Sequence, residues 1–171
     1  MKRFVSASTV ALVLVALLGL TRPALAGEAL PFKGSFQGVH VSRTPVDPPL
    51  KFADVFAGTG QATQLGEFEL VIEAVVDFGT RPVTGHGTVT FTAANGDRLV
   101  AGITGASALV SPGLVLITEH ATIDPARSTG RFAGATGTFT IERLADAATG
   151  VTGATAGPFE GMISLATPVK P

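Results

Sequence analysis

The stretch "GEFELVIEAVVDF", residues 66–78, limits the fold more than any other. Phe68, Leu70, Ile72, Ala74 and Val76 fall on one side of an extended chain. Glu67, Glu69, Glu73 and Asp77 fall on the other. Side chains on a strand alternate between two faces, so this pattern predicts a strand with one buried face and one wet face. The same texture recurs along the chain, which is rich in Gly, Thr, Val and Phe and has no helix signal beyond its first residues.

Turn signals recur at short intervals and divide the chain into eight strands. The first covers about 32–41, with Phe32, Gly34, Phe36 and Gly38 on one face. The segment "RTPVDPPLK" reads as a loop, because three prolines do not suit a central ladder. The second strand covers about 53–63, the third is the stretch above, and the fourth covers about 83–93 with Val89 and Phe91 inward. Asn95-Gly96 is a type I′ hairpin signal. It leads to a fifth strand carrying Leu99, Ala101 and Ile103. The sixth is expected at about 114–123 and the seventh at about 130–143. After a loose "DAATGVTGATAG" segment, the eighth is expected at about 158–166. Eight antiparallel strands with short links suit an all-β, eight-stranded up-and-down barrel, which has no exposed edge. A two-sheet sandwich is the alternative.

In "TGRFAGATGTFTIERL", residues 129–144, Phe132 has one parity and Phe139 and Ile141 the other. One strand buries both sets only with a residue inserted between them. A β-bulge or barrel corner is therefore expected at Gly134 or Gly137, downstream of Gly130. A phosphate-cradling loop is disfavoured, since no Gly-Lys-Ser/Thr ending and no helix follow.

This segment, with "GTGQATQLGEF" at 58–68 and "ANGDRL" at 94–99, resembles a group of small exported bacterial proteins. Their barrel is similar to that of allene oxide cyclases and plant dirigent proteins. The resemblance to the bacterial group covers most of the chain after residue 26. The resemblance to cyclases and dirigent proteins is confined mainly to residues 129–139. It implies a calycin-like barrel, assembled as a trimer, and it brings no catalytic residues with it. The cyclases' polar pocket groups have no counterparts at matching positions, and the chain lacks both Cys and Tyr.

Lys2 and Arg3, the apolar run "VALVLVALLGL" and the Ala24/Ala26 small-x-small pattern form an export signal with cleavage expected after Ala26. The run is too short to span a bilayer comfortably. Residues 27–171 would then be one domain, placed in the periplasm or outside the cell. Without cysteine it has neither a disulfide nor a lipidated N-terminus. Its core alone must stabilise it, and a chain of this size buries about 68–70% of its unfolded surface. Nine basic and thirteen acidic residues leave that domain at a formal charge of −4, with no basic run. Nucleic acid and anionic membrane surfaces are therefore not expected partners.

Glu119 is the leading chemical candidate, since Val115, Ile117, Ala121 and Ile123 share its parity. A carboxylate in an apolar lumen has a raised pKa and acts as acid, base or ligand orienter. Two other arrangements stay open. Leu114 and Leu116 would face inward instead, or Glu119 would be paired with an arginine such as Arg131 or Arg143. His120 is on the face opposite Glu119, so only one of the two points inward. His40 is expected at a barrel mouth and His86 in solvent. Three scattered histidines form no metal site, and no cofactor is expected. Glu67, Glu69 and Glu73 read as a solvated strand face rather than a glycosidase pair. The serines lack a nucleophile-elbow context.

Phe36, His40, Phe68, Leu70, Phe91, Ile117, Glu119 and Phe139 are the expected lining of a lumen that takes a small hydrophobic ligand. Three function classes follow. One is a binding barrel. Another is a cyclase or isomerase using Glu119. The last is a barrel filled by its own side chains that serves in self-assembly or envelope contacts.

Overall fold

The computed structural model describes residues 26–47, 50–148 and 153–166. The expected export signal lies outside the described residues, apart from Ala26 itself, and so does the tail beyond Ala166. Eight strands close into a barrel in chain order. They are β1 (Ala26–Asp47), β2 (Lys51–Ala62), β3 (Gly66–Asp77), β4 (Val83–Ala93), β5 (Arg98–Ser111), β6 (Leu114–Ile123), β7 (Thr136–Asp146) and β8 (Ala154–Ala166). Every neighbouring pair is antiparallel, and β8 closes on β1. This is the up-and-down barrel that the alternation predicts; the sandwich is excluded.

Three local expectations need correction. First, β1 does not stop near residue 41. It runs on through Arg43, Thr44 and Pro45, and Pro45 lies opposite Phe52 of β2. The last pairing of β1 with β8 is Val39 with Ala154. After the His40 N–H bond to the Gly153 carbonyl, the ladder of β1 continues among the described residues with β2 alone, which is where a strand tolerates proline. Pro48 and Pro49 lie outside the described residues.

Second, β8 begins at Ala154 rather than 158, so "ATAG" is strand. Thr155 and Ala156 pair with Gln37 and Gly38 of β1 and with Leu144 and Ala145 of β7.

Third, the parity change in residues 129–144 comes from no bulge. Gly130–Phe132 is a 3-10 turn, β7 starts only at Thr136, and its register with β6 has no shift. Phe132 reaches the core from a turn, so its parity is free of the strand's. Gly134 holds a positive φ of 74° in the link between them. Gly137 has φ 140°, and a Cβ there would run into the Met162 carbonyl. The glycines serve a tight entry and a close strand approach.

The lumen is divided along its length. At one end Phe32, Phe68, Phe91, Phe139 and Phe159 form a ring cluster with centroids 5.0–6.0 Å apart. Tilted and edge-on rings of this kind add to the burial of their apolar area. Phe132 and Leu65 are buried at the same end. Arg131 ties the closure by donating to the Leu65 carbonyl and lying over the Phe132 ring at 4.8 Å. Toward the other end several inward positions are small: Ala74, Gly85, Gly105 and Ala145. Side chains of that size do not meet across an eight-stranded barrel, and a space remains.

Candidate functional site

That space is a cavity of about 270 Å³. Its apolar wall includes Ala74, Val76, Ile103, Val115, Ile117 and Ala145, one or two from each of β3, β5, β6 and β7. Its polar lining is His40, Arg43, Asp54, Glu119 and Arg143, with Ser107 and Asp146 nearer the rim. Phe78, Val83, Ala147 and Gly153 place its opening at the end of the barrel where β3 and β7 finish and β4 and β8 begin.

Glu119 points inward and is 5% exposed, while His120 is outside and contacts Thr140 Oγ1 at 3.3 Å. The paired alternative is the one realised. Arg143 Nε and Nη2 donate to the two carboxylate oxygens of Glu119, each at 3.0 Å. Arg143 Nη1 donates to Thr155 Oγ1 at 3.1 Å, and Thr155 Oγ1 donates onward to the Leu144 carbonyl at 3.0 Å. The guanidinium also lies 4.4 Å over the Phe56 ring. A buried charge is tolerated when it is paired and hydrogen-bonded, and this network supplies both. Glu119 is therefore not the isolated lumenal carboxylate that would serve as a free acid or base.

A second charged pair stands beside the first. Asp54, 2% exposed, accepts from Arg43 Nε at 2.8 Å and from Arg43 Nη2 at 2.6 Å. The hydrogen bonds that Arg43 donates to Asp54 raise the Arg43 pKa further above its already high ordinary value, against the opposing effect of burial. Arg43 is half-buried and covers Phe78 at 4.9 Å and Phe52 at 5.6 Å. His40 links the two pairs. Its ring stacks on Phe56 at 4.6 Å, Nε2 donates to the Ser42 carbonyl at 2.8 Å, and Asp54 Oδ1 lies 3.5 Å away. Phe56 thus has Arg143 and His40 packed against its ring.

Of the expected lining residues, the structure brings His40, Ile117 and Glu119 together in the cavity. Leu70, Phe91 and Phe139 are in the packed core, away from the lining of this cavity. Phe36 and Phe68 belong to that core too, and they also border a wider, more open depression among Gln37, Thr59, Gln61, Glu67, Glu69 and Thr92. Glu67, Glu69 and Glu73 are exposed, as is His86. Among the described residues no group of three His, Asp or Glu side chains is placed to hold a metal ion.

Asp54 and Arg43 are absent from the expected set. Asp54 shares the parity of Phe52 and Phe56, so alternation along β2 was a usable signal for it. Arg43 had none. His40 is inside by the regular parity of Phe32 and Phe36, and the β1–β2 register shift between His40 and Ser42 then brings Arg43 to the inner face opposite Asp54.

Comparison with known protein families, with curated proteins and with solved structures gives no match. The fold and the cavity define the class: a closed eight-stranded antiparallel barrel, packed at one end and hollow at the other.

Proposed function

We propose that this chain is a small exported barrel that binds one compact apolar molecule in its half-open lumen. One observation carries the reading. A cavity of about 270 Å³ with a largely apolar wall opens at one mouth, while the opposite half is filled by phenylalanine. An apolar protein cavity of about 150 Å³ takes benzene, so in proportion this one takes about ten or eleven heavy atoms. Export rests on the N-terminal pattern of Lys2, Arg3 and the Ala24/Ala26 site. Kinship with the calycin-like bacterial barrels rests on the quoted Gly-rich segments and agrees with the closed barrel.

Binding is preferred to cyclase or isomerase chemistry because Glu119 is fixed in a two-pronged ion pair with Arg143 and is not free to move a proton. A polarising acid needs an oxygen or a proton aimed at the substrate.

The test is native mass spectrometry of the protein expressed from its full-length chain, in the processed form its host leaves. The expected result is a mass excess released on denaturation, or uptake from a lipid and terpenoid extract with the molecule recovered unchanged. A bare chain with no uptake rejects the reading. A recovered molecule that has been isomerised replaces it with the enzymatic one.

A further inference from the structure

We infer that the lumen selects an uncharged ligand, because each buried charge in its wall is already neutralised from within. This inference rests on the binding reading above and names the class of molecule bound.

The argument is one of pairing. A charged group that leaves water for an apolar site needs a counter-charge and hydrogen bonds there. The cavity holds two arginines and two buried carboxylates. Arg143 is engaged in both directions of its fork by Glu119, and Arg43 by Asp54. Among the described residues no buried side-chain nitrogen or oxygen lacks a partner. A ligand carboxylate brought to Arg143 would find the anion position occupied by Glu119 at 3.0 Å and would face it as a like charge. A ligand ammonium brought to Glu119 would meet Arg143 in the same way. Paired carboxylates keep spare lone pairs, since each oxygen accepts more than one donor. A neutral hydroxyl is therefore accommodated where an ion is not. The expected class is a neutral alcohol or related uncharged amphiphile of about ten heavy atoms, on the proportion used above.

The test uses three probes of matched length: nonan-1-ol, nonanoic acid and nonylamine, titrated into the protein expressed from its full-length chain. At pH 8 the acid is ionised and the amine is protonated. Nonanol is expected to bind at least ten-fold more tightly than either ion. Equal or tighter binding of nonanoate or nonylamine overturns the inference and leaves the binding reading standing. Binding of none of the three, with nothing retained from cell extract, rejects the binding reading and this inference with it.

Removing the internal anion should reverse the selection. Glu119→Gln leaves Arg143 without a counter-charge, and the ratio of its nonanoate affinity to its nonanol affinity should rise at least ten-fold over the parent's. Because that variant carries an unpaired buried charge, the double variant Glu119→Gln/Arg143→Gln serves if it does not fold. The double variant should keep the preference for nonanol, and a gain of nonanoate binding in it overturns the inference.

Discussion

Glu119 and Arg143 meet diagonally across β6 and β7. In the register Glu119 stands opposite Ile141 and Arg143 opposite Ile117, so the two charges are one pair-step apart on the inner face. Diagonal neighbours on one face lie within reach of long side chains. Both Arg143 nitrogens approach at 3.0 Å, and Thr155 on the next strand receives the third donor. The bridge thus spans three consecutive strands at the boundary between the filled and hollow halves.

Breaking this bridge from one side should cost far more than removing it whole. Arg143→Met leaves the Glu119 carboxylate buried without its cation, and loss of one partner of a buried pair costs about 3–5 kcal/mol. Replacing both, as Glu119→Leu/Arg143→Met, exchanges a desolvated pair for apolar volume, a change of about zero or even a gain. Urea melts of the two variants decide the matter. A double variant as unstable as Arg143→Met would mean that the site needs charge for its structure.

The barrel was legible because its signal is repetitive. Glu119 was legible because β6 is regular, and Ile117 and Ala121 fix its parity. Arg43 was not, since one register shift near Val41 reverses the parity of Ser42 to Pro45. Phe132 misled for a related reason. A residue in a turn obeys no period, so comparing its parity with Phe139 implied a bulge that the strand does not have. The split between filled and hollow halves was hidden more deeply. It depends on which rings meet across the lumen, as Phe32 meets Phe139 and Phe159, whereas beside the small residues Ala74, Gly105 and Ala145 the Phe56 ring is packed against His40 and Arg143. Alternation reports the face of a residue, not the partner opposite it.

Two glycine substitutions should separate structural need from mere tolerance. At Gly137, φ is 140° and an added Cβ would strike the Met162 carbonyl on β8. Gly137→Ala should destabilise by about 1–3 kcal/mol, the range for a residue forced into a sparsely populated conformation. Gly102 on β5 has open space around the Cβ position and faces solvent. Gly102→Ala should be neutral or stabilising by about 0.4–1 kcal/mol, through a less flexible unfolded chain. Thermal midpoints of the two proteins, compared with the parent, give the answer; equal losses would contradict the backbone argument.

Thr155 is expected to act as a positioning residue for Arg143. Its hydroxyl accepts from Arg143 Nη1 and donates to the Leu144 carbonyl, and it is 2% exposed. Thr155→Val keeps the shape and removes the acceptor, leaving a buried guanidinium N–H unsatisfied at a cost of about 1–3 kcal/mol. Thr155→Ser retains the hydroxyl and should recover most of that loss. If valine and serine variants melt together, the hydroxyl contributes nothing and the contact is incidental.

The two halves of the lumen should respond oppositely to changes in side-chain volume. Phe91 is fully buried and touches Phe32, Phe68, Phe139 and Phe159. Phe91→Ala removes those contacts and leaves a void, for which about 3–5 kcal/mol is the usual cost. It lies outside the cavity lining, so ligand affinity should stay within about two-fold of the parent, a difference of roughly 0.4 kcal/mol. Ile117 lines the cavity and is only partly buried. Ile117→Phe extends a ring into space that exists, so it should escape the usual overpacking penalty of about 1–3 kcal/mol. It should also displace the ligand by occupying its volume. Each variant therefore needs two measurements, a chemical melt and a nonanol titration. Stability should fall at Phe91 with binding kept, and binding should fall at Ile117 with stability kept. The reverse assignment would place the ligand in the phenylalanine half and overturn the division of the barrel.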